Sequence, residues 1–340
     1  MVRRYMSGYS YDTCGRPSDY VTLRDDLPVA FIDRESNWVL VKVHAASLSS
    51  MDLRRIKGDY PGMERNKMGM DVSGVVEAVG DMCHKFQVGD EVIGVANGSV
   101  AEFAAGPETQ WVRKPKNISF LHAAAFPLCG LAAFQLLYIH GQLKQAQKVL
   151  ILNASGGIGS LVVQMAKYKK AKVYATTSTH VKWVKSLGAD VVLDYKKCQW
   201  WQQLAGENID VVIDLVEGYS AWVHCQKVVN KQKSRFITMV PDTPDAPYSF
   251  VDNVVKPKMR HIMSPRGGCT YTYMPEIDFS KGKHLNYVSK MVSKGLLKPV
   301  LDPESPFPFS TKGAAHLLKK MESKENRGKM IVDVVGMSNV

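Results

Sequence analysis

Lys148–Ser160 reads KVLILNASGGIGS, and no other stretch narrows the choice of fold as far. Val149–Asn153 is a short apolar run of the kind that forms a fully buried parallel strand. Ala154-Ser155-Gly156-Gly157-Ile158-Gly159 follows, and then a helical pattern with Leu161, Val162, Met165 and Tyr168 on one face. Lys172–Thr176 is a second strand candidate. Strand, glycine loop, helix and strand within about thirty residues is the setting in which a glycine fingerprint binds a dinucleotide. Gly156 lets the backbone approach a pyrophosphate, and Gly159 lets the helix pack close to the strand. The unpaired N–H groups at the helix start face the anion. Ala154 replaces the first glycine of GxGxxG, so the signal rests on the surrounding strand–helix–strand period. The alternative is a glycine-rich turn in another kind of α/β unit.

Residues 1–122 read as short strands with turn punctuation and little helix. VLVKVHA at Val39–Ala45 alternates as a half-buried strand should, DVSGVVEAV at Asp71–Val79 stops at Gly80, and Val100–Ala104 continues the series. That pattern suggests a compact, barrel-like β domain. Near Leu121 the period changes. Helical patterns at Ala123–His140, Val181–Leu187 and Ala221–Val229 alternate with strand patterns at Asp190–Asp194, Ile209–Val216 and Arg235–Val240. Such alternation implies a doubly wound parallel sheet. The tail offers a strand at Thr270–Tyr273, helices at His284–Lys294 and Gly313–Glu322, and a last strand at Lys329–Val335.

Composition excludes several classes. At 340 residues the chain can form two domains with real cores, and 45% hydrophobic with 22% charged residues is ordinary for a globular protein. The net charge of +12 favours anionic partners such as a phosphorylated cofactor. No nucleic-acid-binding module is legible, so nucleic acid is not an expected partner and most of the cations read as solvated surface. No uninterrupted apolar run reaches membrane length; Ala123–Ile139 comes nearest but contains Pro127, Gly130 and Gln135, and reads as a buried junction rather than a membrane span. MVRRYMSGYSYD at the start has no apolar signal region, so a cytoplasmic location is expected, with a mitochondrial address left open. The six cysteines are scattered without a CxxC pair, as free thiols in a reducing compartment would be.

VKVHAASLSSMDLRRIKGDYPG, GMDVSGVVEAVG, FQVGDEVIG, AAAFPLCGLAAFQLL, LNASGGIGSLVVQMAK, SLGADVVLDY and NRGKMIVDV, in that order and spacing, resemble the medium-chain dehydrogenase/reductase superfamily over nearly the whole chain. Within it the chain looks like the zinc-free quinone oxidoreductase and enoyl (alkenal) reductase branch. The resemblance implies an α/β protein with a GroES-like β-rich catalytic domain built from both chain ends, residues 1–122 and 266–340. A Rossmann domain with a doubly wound parallel sheet, residues 123–265, is inserted between them. It also implies a homodimer in which the Rossmann sheets pair edge to edge.

Zinc members of the superfamily take catalytic ligands at positions that here look like Ser49, Met70 and Cys129. A zinc site needs at least three ligands from Cys, His or carboxylate, and Met70 with Ser49 cannot supply two of them. The four-cysteine structural loop is absent too, because Gly94 runs almost directly into Ala101-Glu102-Phe103. No metal is expected, and Cys129 reads as a small buried apolar side chain. The nine histidines show no HxxxH or HxH pairing.

An NAD site carries Asp or Glu about twenty residues beyond the start of the fingerprint. Tyr174–Ser178 occupies that window without an acid, and Thr177, Ser178, Thr179, His180 and Lys182 follow. Tyr195 matches the tyrosine that related reductases place near a 2′-phosphate. The expected cofactor is therefore NADPH, since each charge-assisted bond to phosphate contributes ~1.5–3 kcal/mol. Whether His180 or Lys182 points at the phosphate, or is a solvated charge, stays open at this stage.

The resemblance implies an NADPH-dependent, zinc-independent oxidoreductase that passes hydride to a quinone or to the C=C of an enal or enone. Without metal, the developing oxyanion needs hydroxyls, backbone N–H groups or the cofactor ribose. Ser49, Asp52 and Tyr60 fall in the cleft-lining motif, although its Asn-Pro pair appears here as Ser49-Ser50. Tyr60, in IKGDYP, resembles the proton donor of enoyl thioester reductases. The bland alternatives are a turn hydroxyl for Ser49, a helix N-cap for Asp52 and a packing role beside Pro61 for Tyr60. The alternative function is an NADPH-binding scaffold or redox sensor with little turnover.

Overall fold

Val149, Leu150, Ile151 and Leu152 are wholly buried because their strand, Lys148–Leu152 (β1), runs inside a parallel sheet covered on both faces. The computed structural model describes residues 4–58, 67–244, 249–263, 268–274, 276–279 and 282–336. Two units divide the chain, Ala132–Ile277 and the combination of Met1–Leu131 with Asp278–Val340.

In the inner unit β1 is followed by Lys172–Thr177 (β2), Val191–Asp194 (β3), Val211–Asp214 (β4), Lys233–Thr238 (β5) and Gly268–Tyr273 (β6). Their order is β3-β2-β1-β4-β5-β6 and every pairing is parallel. The order reverses between β1 and β4, the switch point at which such sheets bind ligands beyond their strand ends. Helices α1 (Gly157–Tyr168), α2 (Val181–Ser186), α3 (Trp200–Gln203), α4 (Tyr219–Cys225) and α5 (Lys256–Ile262) alternate with the strands. One core cluster gathers Leu150, Leu152, Val212 and Phe236 from the sheet with Trp200 and Ala221 from the helices.

The units differ from the sequence-based boundaries in two places. Thr270–Tyr273 was expected with the chain-end domain, but β6 pairs along the whole of β5, from Lys233↔Gly268 to Thr238↔Tyr273. Its backbone groups find their partners in the parallel sheet, and that outweighs its place in the sequence. Residues 123–131, expected in the Rossmann unit, group instead with the chain ends. The helix expected over Ala123–His140 is broken into Phe120–Ala123, Pro127–Phe134 and a wider-turned segment, Gln135–His140. Pro127 has no N–H to continue the preceding turn. Phe120–His140 is long and apolar enough to cross a membrane by length and composition, yet 78% of its apolar window is buried inside the protein, as in the buried junction expected there.

The other unit holds a seven-stranded, mostly antiparallel sheet. Its central strand, Trp38–Ser47, buries Val39, Val41 and Val43 and turns Trp38 and Lys42 outward. The C-terminal strand Ile331–Asp333 pairs with its far end, Ile331↔Ser47 through Asp333↔Ala45, which is how the two chain ends make one sheet. Tyr5–Ser10 and Thr22–Pro28 form a separate two-stranded sheet.

Candidate active site

Each unit carries one group of the residues that the sequence singled out. In the inner unit, Asn153 turns the chain out of β1 with φ +68°. Its N–H donates to Thr176 Oγ1 at 3.2 Å, and the N–H of Ala154 donates to the Thr176 carbonyl at 2.9 Å. The loop is thereby pinned to the end of β2. Gly156 is the N-cap of α1 with ordinary extended angles, φ −75° and ψ 174°, so conformation does not demand a glycine there. A Cβ at Gly156 would meet nothing closer than 3.8 Å, whereas one at Gly159 would lie 2.3 Å from the Asn153 carbonyl oxygen. Gly159 is needed for packing, and Gly156 leaves space open in front of the helix. The first N–H groups of α1 have no partner within the helix and carry the positive end of its dipole. Ala154 and Ser155 are buried in the loop, and Ile158 is half-buried.

The neighbouring strand ends continue this surface. Thr177 closes β2 fully buried, and its Oγ1 has no hydrogen-bond partner among the described residues. Asp194 at the end of β3 is in register with Thr177, and the next residue, Tyr195, donates its N–H to the Thr177 carbonyl at 3.1 Å. Thr177 and Tyr195 are thus brought together, with the Tyr195 ring 43% exposed. Ser178 is half-buried. His180 is the N-cap residue of α2 and meets Trp183 edge-on at 6.2 Å. Lys182 lies exposed in the first turn of α2, with its side chain toward solvent. A buried hydroxyl without a partner among the described residues, an open helix N-terminus and a β2 end that itself carries no carboxylate suit a nucleotide with an extra anionic group.

In the chain-end unit, Ser49 is the N-cap of helix Ser50–Lys57. Its N–H donates to Asp52 Oδ2 at 2.7 Å and its hydroxyl to the same oxygen at 2.9 Å. Gly69 N–H donates to Asp52 Oδ1 at 2.9 Å, and Asp52 is 1% exposed. The capping residue is therefore Ser49, not Asp52, which sits one turn in and reaches back. Both oxygens of that carboxylate are committed to holding the loop and the helix start. Tyr60 lies outside the described residues.

The metal-ligand positions are likewise engaged. Arg55 Nη2 approaches Met70 Sδ at 3.9 Å. Beside Met70, Asp71 is completely buried and accepts from Ser47 Oγ at 2.7 Å, Leu128 N–H at 2.6 Å and Lys329 Nζ at 2.9 Å. Burial pushes the Cys129 thiol up to about 11 even though the Lys329 ammonium beside it pulls the other way. Burial works against the Lys329 charge, but Asp71 and Cys129 overcome it and raise its pKa. Among the described residues no group of three His, Cys, Asp or Glu side chains could hold a metal ion. Lys329 is the residue that sequence reasoning missed. Its only local signal was a lysine abutting the apolar Met330-Ile331-Val332, where a solvated side chain is out of place.

Residues 35–116 match the family of alcohol dehydrogenase GroES-like domains, and residues 187–332 match the zinc-binding dehydrogenase family. The chloroplastic NADPH-dependent alkenal/one oxidoreductase of Arabidopsis thaliana is 31% identical over 350 residues, covering 97% of this chain and 80% of that protein. The chain belongs to the medium-chain dehydrogenase/reductase superfamily. Two further members agree with it. The 2-methylene-furan-3-one reductase of Solanum lycopersicum is 31% identical, with 96% of this chain and 79% of that protein covered. The structure of the quinone oxidoreductase from Coxiella burnetii superposes with a TM-score of 0.79 at 26% identity, covering 97% and 99% of the two chains. The superfamily's two modules, a GroES-like domain and a nucleotide-binding domain, account for the two kinds of sheet. The zinc-binding dehydrogenase match spans residues 187–332, so its name does not bear on Ser49, Met70 or Cys129.

Proposed function

We propose that the protein is an NADPH-dependent oxidoreductase that reduces a quinone or the activated C=C of an α,β-unsaturated carbonyl without zinc. The observation that carries the cofactor choice is the end of β2. There the buried Thr177 hydroxyl lacks a partner, Tyr195 lies alongside, and no carboxylate stands where an NAD site would need one. Relatives named as an NADPH-dependent alkenal/one oxidoreductase and a quinone oxidoreductase support the reaction class.

Bound NADPH supplies the hydride. The loop Ala154–Gly159 would carry its pyrophosphate on the free N–H groups of α1, with Thr177, Ser178 and Tyr195 toward the 2′-phosphate and His180 or Lys182 as the cation. The zinc-free reading is supported by the donor set, since Met70 and Ser49 are not zinc ligands and leave Cys129 as a single donor of the three positions. Ser49 and Asp52 shape the helix start rather than meet substrate, and the proton for the α-carbon of a reduced alkene then comes from Tyr60 or from water. A homodimer through the end strand β6 belongs to the same reading; a single-chain mass in light scattering would remove it. The experiment is NADPH oxidation against a panel of quinones, enals, enones and enoyl thioesters. Binding of NADPH without turnover on any of them would favour the scaffold reading.

A further inference from the structure

Helix α4 lies across β5 and β6 by its tryptophan: the Trp222 ring meets Phe236 with centroids 5.4 Å apart and Tyr271 at 5.1 Å. Cys225 is three residues further on, about 4.5 Å along the same helix face. Cys269 is two residues before Tyr271, about 6.6 Å away on the same face of β6. The packing that seats Trp222 on Tyr271 therefore brings Cys225 toward Cys269, and the two lie in one buried core cluster.

Their surroundings treat them unequally. Cys225 is 0% exposed; its Sγ donates to the Trp222 carbonyl at 3.0 Å and accepts from Gln226 Nε2 at 3.5 Å. Cys269 is 8% exposed and stands in register with Ser234 of β5, a buried residue whose Oγ has no hydrogen-bond partner among the described residues. The Cys225 thiol beside it and the charge of Lys231 bring the Cys269 thiol down to about 7 against the effect of burial. Burial drives Cys225 the other way. The pair thus favours the thiolate on Cys269 and the proton on Cys225. Nucleophilic oxidation chemistry needs that division between an attacking thiolate and a resolving thiol. Cys129, pushed up to about 11, lacks it. The proposed reduction uses neither Cys225 nor Cys269.

We propose that Cys269 and Cys225 form a reversible dithiol–disulfide site that hydroperoxides oxidise. The Cys269 thiolate attacks the O–O bond of the peroxide, takes one oxygen as a sulfenic acid and releases hydroxide. The Cys225 sulfur then displaces that oxygen, its proton leaves in water, and the S–S bond joins the end of α4 to the edge strand. In sum, two thiols lose two hydrogens while hydrogen peroxide becomes two waters. A dithiol reductant reverses the reaction.

The test uses the full, reduced chain. After hydrogen peroxide, alkylation should find two of the six cysteines protected, and peptide mapping should join the Cys225 and Cys269 peptides by a bond that dithiothreitol removes. Phenylarsine oxide, which must bridge two neighbouring sulfurs, should protect the same two without any oxidation. Cys225→Ser should leave Cys269 as a sulfenic acid that dimedone traps, and Cys83→Ser should leave the cross-link intact. Equal alkylation of Cys225 and Cys269 before and after peroxide overturns the proposal, as does a cross-link to any other cysteine. The peptide map of the unsubstituted protein decides this even if a variant fails to fold.

Discussion

Replacing Lys329 by methionine tests whether the buried polar cluster is an ion pair that the fold depends on. Methionine keeps most of the volume and removes only the ammonium. Asp71 has no exposed surface, so the carboxylate left behind cannot turn to water. It would retain the hydroxyl of Ser47 at 2.7 Å and the N–H of Leu128 at 2.6 Å, two of its three partners. Breaking one side of a buried pair costs about 3–5 kcal/mol, and these two bonds place Lys329→Met near the lower end, at about 3 kcal/mol. Because the charge left behind is the cause, Asp71→Asn combined with Lys329→Met should cost clearly less than the sum of the single changes. Urea unfolding followed by circular dichroism, on the two single variants and the double, gives all the terms of that cycle. A loss below about 1 kcal/mol for Lys329→Met, or strict additivity in the double variant, would refute the reasoning.

Three more outcomes follow from single positions. Gly156→Val should weaken NADPH binding at least tenfold and leave the unfolding midpoint unchanged, because its Cβ enters open space, while Gly159→Ala should lower the midpoint because its Cβ would lie 2.3 Å from the Asn153 carbonyl oxygen; calorimetric titration and thermal melts separate the two. Burial pushes the Glu217 carboxyl up to about 7, against the 2.9 Å hydrogen bond from Trp200 Nε1–H, with the nearby Asp214 adding to the rise. The folded state then holds the extra proton between pH 4.5 and about 7, so stability should fall as pH rises through that window, by at most about 3 kcal/mol and less after solvent screening, and Glu217→Gln should flatten the profile. An unchanged pH profile in Glu217→Gln would count against the assignment. Tyr60→Phe should lower kcat for alkenes by ~10²-fold or more and spare quinones, which need no proton on carbon; an undiminished alkene rate would leave Tyr60 a packing residue.

The parallel sheet was legible because buried strands between helices need continuous apolar runs, and Val149–Leu152 and Val211–Ile213 are such runs. The membership of β6 was not, because CTYTY carries no local mark of which sheet its backbone will join; pairing with β5 decides it. The glycine loop could be read residue by residue, since Gly156 and Gly159 serve different physical ends that a fixed spacing encodes. Lys329 against Asp71 could not, because the two are far apart in sequence and meet only when the last strand pairs beside Trp38–Ser47. Asp52 shows a third case. Its motif pointed to the cleft, but the Ser49-x-x-Asp52 spacing also encodes a capping arrangement, and the geometry spends the carboxylate there.

NADPH consumption by chelator-treated protein tests zinc-free hydride transfer most directly. Purified chain, dialysed against a strong chelator and checked for metal content, should oxidise NADPH with at least one quinone or α,β-unsaturated carbonyl, and should do so faster than it oxidises NADH. Activity that disappears with one equivalent of zinc per chain and returns when zinc is restored would contradict it, as would equal rates with the two cofactors.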